Sequence, residues 1–210
     1  MADLEVCKRV VLVGAGAAGK DYLRQAFVAS GVPADVSVTD RKMRLGEEEG
    51  TAYHFVTSKE FDKAVESGAM KQHIAFGPHR YGTLQESWDR STVFIMSPRT
   101  LAAMSSEDRR SCVVVYLQIS KKVRTERLKE RLQPSGPERD PSIGFASSTD
   151  TDVVVEKRLA DDAQLFPREF NNFDVRIVNP AFNPMKCVDY LMSFVEHETE
   201  SEESEEVEVD

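Results

Sequence analysis

The apolar run Val10-Val11-Leu12-Val13 leads directly into G-A-G-A-A-G-K, residues Gly14 to Lys20. A short run rich in β-branched residues reads as a buried strand, and the stretch from Asp21 to Ser30 reads as a helix. Gly, four residues, then Gly-Lys, set between a strand and a helix, is the phosphate-binding P-loop. Gly14, Gly16 and Gly19 let the backbone curl so that several N–H groups point inward at a phosphate chain. The helix that follows adds its positive N-terminal end, and Lys20 is placed to reach the β- and γ-phosphates. A glycine-rich turn in some other α/β protein is the alternative.

Asp21 departs from this pattern, because the usual loop ends in Ser or Thr, whose hydroxyl binds Mg²⁺. A carboxylate beside triphosphate oxygens is repelled unless a cation lies between them. Either Asp21 helps hold Mg²⁺, directly or through water, or the site has lost efficient metal binding.

A chain of 210 residues fits one domain with inserted subdomains. No segment approaches the apolar length of a membrane span, and M-A-D-L-E-V-C lacks the long apolar stretch of a signal peptide. Cys7, Cys112 and Cys187 are odd in number and widely spaced, as expected of reduced thiols in a cytosolic or nuclear protein. The Cys and His spacing gives no zinc pattern. The formal charge of −9 belongs to the end of the chain: residues 196–210 carry nine acids and no Lys or Arg, and the remainder balances 27 acids against 27 bases. That composition reads as a disordered acidic tail, which either meets a basic partner or acts only as a solubilising segment. No nucleic-acid or membrane partner is expected.

Strand and helix patterns alternate, which implies a mostly parallel sheet covered on both faces. Strands are expected at Val10–Val13, Val36–Thr39, Ala52–Val56, Val93–Met96, Cys112–Ile119 and Phe173–Val178. Helices are expected at Asp21–Ser30, Ser58–Ser67 with Ser58 as its cap, Lys121–Leu132, Asp152–Phe166 and Pro184–Val195. Gly77-Pro78 and Tyr81-Gly82 read as turns, and Gln133–Asp150, rich in Pro, Gly and Ser, as a mobile loop.

Residues 37 to 57, S-V-T-D-R-K-M-R-L-G-E-E-E-G-T-A-Y-H-F-V-T, resemble the acceptor-binding segment of guanylate kinases. Thr39, Arg41, Arg44, Gly46, Glu47, Gly50, Tyr53, Phe55, Val56 and Thr57 fall in register with it. Tyr81-Gly82-Thr83 is similar to the family's Y-G-[ST], Leu128–Arg131 and Lys157–Leu159 to its lid arginines, and Phe173 to Asn179 to its last strand. The resemblance covers residues 9 to about 195. It implies a P-loop NTPase-type α/β fold, a parallel sheet flanked by helices, with residues 1–195 as the domain. Inserted in it are an acceptor-binding region at about 35–90 and a lid at about 133–150.

The resemblance further implies phosphoryl transfer from ATP, with Mg²⁺, to GMP, dGMP or a related purine nucleoside monophosphate. Gly14, Gly16, Gly19, Lys20, Asp21 and Asn179 would meet ATP. Arg41, Arg44, Glu47, Tyr53, Gln72, Tyr81 and Thr83 would meet the monophosphate, and Lys20, Arg131 and Arg158 would act on the transferring group. Residue chemistry agrees: Arg41, Arg44 and Tyr53 offer donors suited to a phosphate monoester, with Glu47 orienting an arginine. Read without the resemblance, R-K-M-R also suits a solvated basic loop, and Arg131 and Arg158 suit surface positions on amphipathic helices.

Two acidic positions of the family pattern hold Ile95 and Ser97 here. One reading is that Asp21 supplies the missing carboxylate; G-K-D also resembles the loops of animal-type phosphomevalonate kinases. Another is a guanylate-kinase-like module that binds phosphopeptide or nucleotide without catalysis, as in membrane-associated scaffolds. A kinase for a small non-nucleotide phosphate is a third. At the base, Gln72 stands where the family has a guanine-reading Glu, so adenine becomes a competitive acceptor unless Gln72 turns away and GMP stays preferred. Thr83, able to donate or accept, favours neither base.

Overall fold

The computed structural model of the chain describes residues 7–43, 47–132, 148–167, 170–178 and 183–195. The first half runs β1 (Arg9–Val13), α1 (Lys20–Ala29), β2 (Val38–Thr39), β3 (His54–Phe55), α2 (Ser58–Glu66), β4 (Met70–Phe76), β5 (His79–Leu84) and α3 (Gln85–Arg90). There follow β6 (Val93–Ile95), α4 (Pro98–Ala102), α5 (Ser106–Arg110), β7 (Cys112–Gln118), α6 (Lys121–Leu132), α7 (Ser148–Leu165), β8 (Val175–Val178) and α8 (Pro184–Met192).

β1 lies inside a parallel sheet of order β6-β1-β7-β8, with Val11 beside Phe94 on one side and Val114 on the other. A parallel sheet needs cover on both faces, which is why β1 and β7 read as continuous apolar runs rather than as alternations. On one face Val10, Leu12, Val113, Val115 and Leu117 pack with Leu23 and Phe27 of α1 and Val188 and Leu191 of α8. On the other, Val11, Val13, Phe94 and Val114 pack with Trp88 of α3 and Leu101 of α4. Phe27 has no solvent exposure; truncating such a side chain to Ala costs about 3–5 kcal/mol. The loop after β1 opens at the carboxyl end of this sheet, the edge where open α/β sheets bind ligands.

A second, mixed sheet of order β3-β2-β5-β4 forms between Val38 and Leu84. β4 and β5 make an antiparallel hairpin turning at Gly77, whose φ is +59°. Helix α2 covers one face of this sheet: buried Phe61 meets His73 at 6.2 Å, and the Arg80 guanidinium lies 4.5 Å from the Phe61 ring centre.

The expected strands and long helices around the P-loop and along the parallel sheet are present, with several corrections. Helix α2 is capped by Thr57, not Ser58: Thr57 Oγ1 accepts from Glu60 N–H while Glu60 returns a bond to Thr57 N–H. Tyr81-Gly82 is strand interior rather than a turn. A Cβ on Gly82 would stand 2.9 Å from Met70 Sδ and 3.0 Å from Gln72 O, so the glycine is there for close approach of β4. Ser148 to Asp150 are helical, so α7 starts ahead of the expected Asp152; residues 133–147 of the expected loop lie outside the described residues, as does the tail at 196–210. Among the described residues no helix is long and apolar enough to cross a membrane.

Candidate functional site

Gly19 takes φ +100°, a left-handed conformation that lets the chain leave the loop and enter α1 at Lys20. Gly14 is fixed by space, since a Cβ there would stand 2.8 Å from Leu117 O. Lys20 curls back over the loop, its Nζ donating to Gly14 O at 2.7 Å and Ala15 O at 3.1 Å. Burial lowers its pKa, the carboxylates of Asp21 and Asp162 oppose that, and the guanidiniums of Arg131 and Arg124 reinforce it. The structure therefore brings Lys20, Asp21 and Arg131 together.

Helices α6 and α7 close over the loop. Arg124 Nε donates to Gly16 O at 3.1 Å, and Arg127 donates to Ala17 O at 3.0 Å. Asp162 of α7 accepts from Gly16 N–H at 3.0 Å and pairs with Arg124. Gly16 is thus held at both its N–H and its C=O by one ion pair. Arg124, Arg127 and Arg131 recur at helical spacing on the side of α6 that meets the loop. Arg158 lies one turn before Asp162 on α7, next to buried Leu159. A cavity of about 880 Å³ opens here, lined by Ala15, Tyr116, Arg124, Lys129, Asp162 and Phe166 among others. Asn179 lies outside the described residues.

The second sheet gathers the other nominated residues by register. Thr39 stands opposite Tyr81 and beside Phe55, and Gln72 stands opposite Thr83. Residues paired in this way share a face. Ser37, two before Thr39, and Thr83, two after Tyr81, therefore fall on the face opposite to that covered by α2. Tyr53 joins them, with ring centres 5.7 Å from Tyr81 and 5.9 Å from Phe55. Arg41 is buried over these rings, 5.3 Å from Tyr53 and 5.5 Å from Phe55, and is gripped by both oxygens of Glu47 at 2.7 and 2.9 Å. Burial alone pulls the Arg41 guanidinium down, but Glu47 outweighs it and the net direction is up. Among the described residues no acceptor meets Arg41 Nε, a buried donor. Tyr53 is pushed up to about 12 by burial, with the Asp21 carboxylate adding, so its phenol is a protonated donor at neutral pH. Arg44 lies outside the described residues. Arg24 of α1, buried, donates to Thr51 O at 2.9 Å and ties the P-loop helix to the loop before β3.

Gln72 spends an amide N–H on Met96 Sδ at 3.4 Å. Thr83 Oγ1 donates to Asp35 Oδ2 at 3.4 Å. At the end of β6, Ser97 caps α4 by accepting from Thr100 N–H, and Ile95 offers no ligand. Asp21 is the carboxylate at the loop mouth, its side chain 71% exposed and 4.0 Å from Arg24. Among the described residues no three His, Cys, Asp or Glu side chains converge as a metal site.

The guanylate kinase family model matches residues 6–198. The chain belongs to the guanylate kinase family. The guanylate kinase of Nitrosococcus oceani is 28% identical over 181 residues, covering 82% of this chain and 80% of that one. Protein PALS2 of Mus musculus is 26% identical over 200 residues, 90% of this chain and 34% of that protein. The crystal structure of guanylate kinase from Anaplasma phagocytophilum superposes with a TM-score of 0.59 at 18% identity, over 90% of this chain and 84% of that chain, a likeness of fold. Beside the guanylate kinase motifs, sequence reasoning passes over Arg124, Arg127, Asp162 and Asp35. The three-and-four spacing of arginines on α6 was a usable signal; the two aspartates meet partners distant in sequence, and no local spacing marks them.

Proposed function

We propose that the protein transfers the γ-phosphoryl group of ATP to a purine nucleoside monophosphate, GMP in the first place. One observation carries this reading: a P-loop with a partly buried lysine lies beside a sheet face bearing Arg41, Tyr53, Tyr81, Thr83 and Gln72, and Tyr53 feels the charge of Asp21 across the gap. The name guanylate kinase, carried by the Nitrosococcus oceani relative, supports the acceptor. In this reading residues 35–90 form the acceptor region, 133–150 the lid, and the protein works in the cytoplasm.

The loop N–H groups would hold the ATP phosphates, with Lys20 exchanging the carbonyls of Gly14 and Ala15 for phosphate oxygens. The buried Arg41 Nε and the Tyr53 phenol would donate to the acceptor phosphate, Glu47 holding the guanidinium plane. Arg44 and Tyr81 complete that set, and Asn179 belongs to the ATP side. Arg131 and Arg158 would carry positive charge to the transferring group when the lid closes and excludes water. The donor set suits a Mg²⁺ that arrives with ATP: one exposed carboxylate, Asp21, with the remaining ligands from phosphate and water. When bound, that ion would neutralise charge between the β- and γ-phosphates.

A second reading, a phosphate-binding module without turnover, is favoured by Ile95 and Ser97 at the end of β6, where no carboxylate stands, and by the similarity to PALS2 over most of the chain. Coupled ADP-release assays with Mg·ATP and each ribo- and deoxynucleoside monophosphate separate the two. The proposed enzyme releases ADP with a purine monophosphate and loses at least a hundredfold on Lys20→Ala, within the range for loss of a preorganised charge. Silence with every acceptor, or a fully active Lys20→Ala, overturns it.

A further inference from the structure

Arg24 breaks the amphipathic pattern of α1. Leu23, Ala26 and Phe27 make the buried stripe, yet Arg24 beside them is 7% exposed. A guanidinium is almost never buried this deeply without partners. Its Nη2 donates to Thr51 O at 2.9 Å, and its Nε stands 4.0 Å from Asp21 Oδ1, one turn back on the same helix. Asp35, ahead of the second sheet, feels the same cation: burial pushes its carboxyl up, while the hydroxyls of Ser87, Ser37 and Thr83 and then Arg24 pull it down. Thr51 belongs to a closed turn. Gly50 N–H donates to Tyr53 O at 2.9 Å, Ala52 N–H donates to Glu48 O at 3.0 Å, and Gly50 holds φ +74°. The Glu49 carboxylate ties the turn forward by accepting from Phe55 N–H at 2.9 Å. A turn bonded in this way moves as a unit, so a hold on the Thr51 carbonyl is a hold on Tyr53, two residues on.

Resting on the phosphotransferase reading above, we infer that Arg24 is a positioning residue that latches the Tyr53 turn to the P-loop helix and so fixes where the acceptor phosphate is received. α1 begins at Lys20, so whatever this helix holds is held in register with the loop that would take ATP. The latch runs from the helix that packs on the parallel sheet to the turn that feeds the second sheet. Phosphoryl transfer needs the reacting atoms about 3–3.5 Å apart and aligned, so the register between the two regions is part of the chemistry. A carbonyl accepting from a cation makes a charge-assisted bond, the stronger kind. Without it the turn keeps its own bonds but loses its place against α1. The Tyr53 phenol is then no longer preset, and the monophosphate must order it on binding. Thr51 contributes only a backbone carbonyl, so no side-chain pattern marks the contact.

The test is a set of calorimetric dissociation constants for GMP and for ATP, each measured alone, in wild type, Arg24→Gln, Tyr53→Phe and the double variant. Gln places its amide nitrogen where Arg has Nε, so it keeps a group facing Asp21 and lacks the atoms that reach Thr51 O. The inference expects Arg24→Gln to weaken GMP by about tenfold or more and ATP by less than about twofold. In the Tyr53→Phe background the same change should weaken GMP by less than about threefold, because a residue that acts through the Tyr53 phenol has nothing left to position. If Arg24→Gln does not fold, Arg24→Met, which fills the buried site with an apolar stem, carries the same expectations. A merely structural Arg24 would lower Tm and leave both constants in place or weaken both ligands alike. That result, or full additivity with Tyr53→Phe, overturns the inference while the phosphotransferase reading stands. A wild type that binds no purine monophosphate overturns both.

Discussion

Asp21 replaces a neutral hydroxyl at the end of the P-loop with a charge, and the structure leaves that charge exposed beside the partly buried Lys20. Its side chain stands where the usual loop places a Mg²⁺-binding hydroxyl, so Asp21→Ala is expected to lower kcat/KM for Mg·ATP by about 10–100-fold. Asp21→Ser, which restores a hydroxyl, should keep or raise it. Steady-state kinetics across a Mg²⁺ titration check both, and two variants indistinguishable from wild type would remove Asp21 from metal binding. Gly14 makes a different point at the same scale. It needs no unusual φ; it needs the room that a Cβ 2.8 Å from Leu117 O would take. Gly14→Ala should cost about 1–3 kcal/mol of stability in chemical unfolding, together with most nucleotide binding. Equal stability would mean that β7 yields at no cost.

At the scale of elements, α2 depends on its start. Thr57→Ala removes the reciprocal bonds with Glu60 and is expected to cost about 1 kcal/mol, a fall in Tm of roughly 2–4 °C by calorimetry. Ser58→Ala should leave Tm within experimental scatter, since Ser58 is not the cap. The rule that a cap is followed three residues on by Glu selects Thr57 over Ser58 from sequence alone, because Phe61 stands three after Ser58. β1, α1, β7 and α6 were legible because each carries one consistent period. β4 and β5 were not. One face of that hairpin meets α2 through His73 and Arg80, while the other bears Gln72, Tyr81 and Thr83, so neither shows the apolar alternation that announces a strand. Helices α3, α4 and α5 are too short for a helical period to emerge. The P-loop and the acceptor motif were legible as strings. Their juxtaposition, and the aspartates that hold Gly16 and Thr83, arise from contacts between residues dozens of positions apart.

Across the whole molecule, the cysteines report on folding. Cys7 and Cys112 are buried, and burial pushes Cys112 up to about 11, against a pull from Ser111; Cys187 is only partly buried. Iodoacetamide at pH 8 should modify Cys187 first, with Cys7 and Cys112 reacting only as the chain unfolds, by mass spectrometry of the peptides. Rapid native labelling of Cys112 would contradict the packing of β7. A larger consequence lies in Gly16. One N–H serves one strong acceptor, so a phosphate seated on it and the Asp162 carboxylate docked on it exclude each other. Nucleotide and the docked state of α7 are then linked variables. By thermodynamic reciprocity, whatever lifts α7 tightens ATP by the same factor by which ATP loosens α7. Asp162→Ala should raise ATP affinity about fivefold or more, and ATP should speed amide exchange along α7 in wild type but not in the variant. The loop that holds the donor would in this way also sense where α7 is, with a single backbone hydrogen as the shared resource.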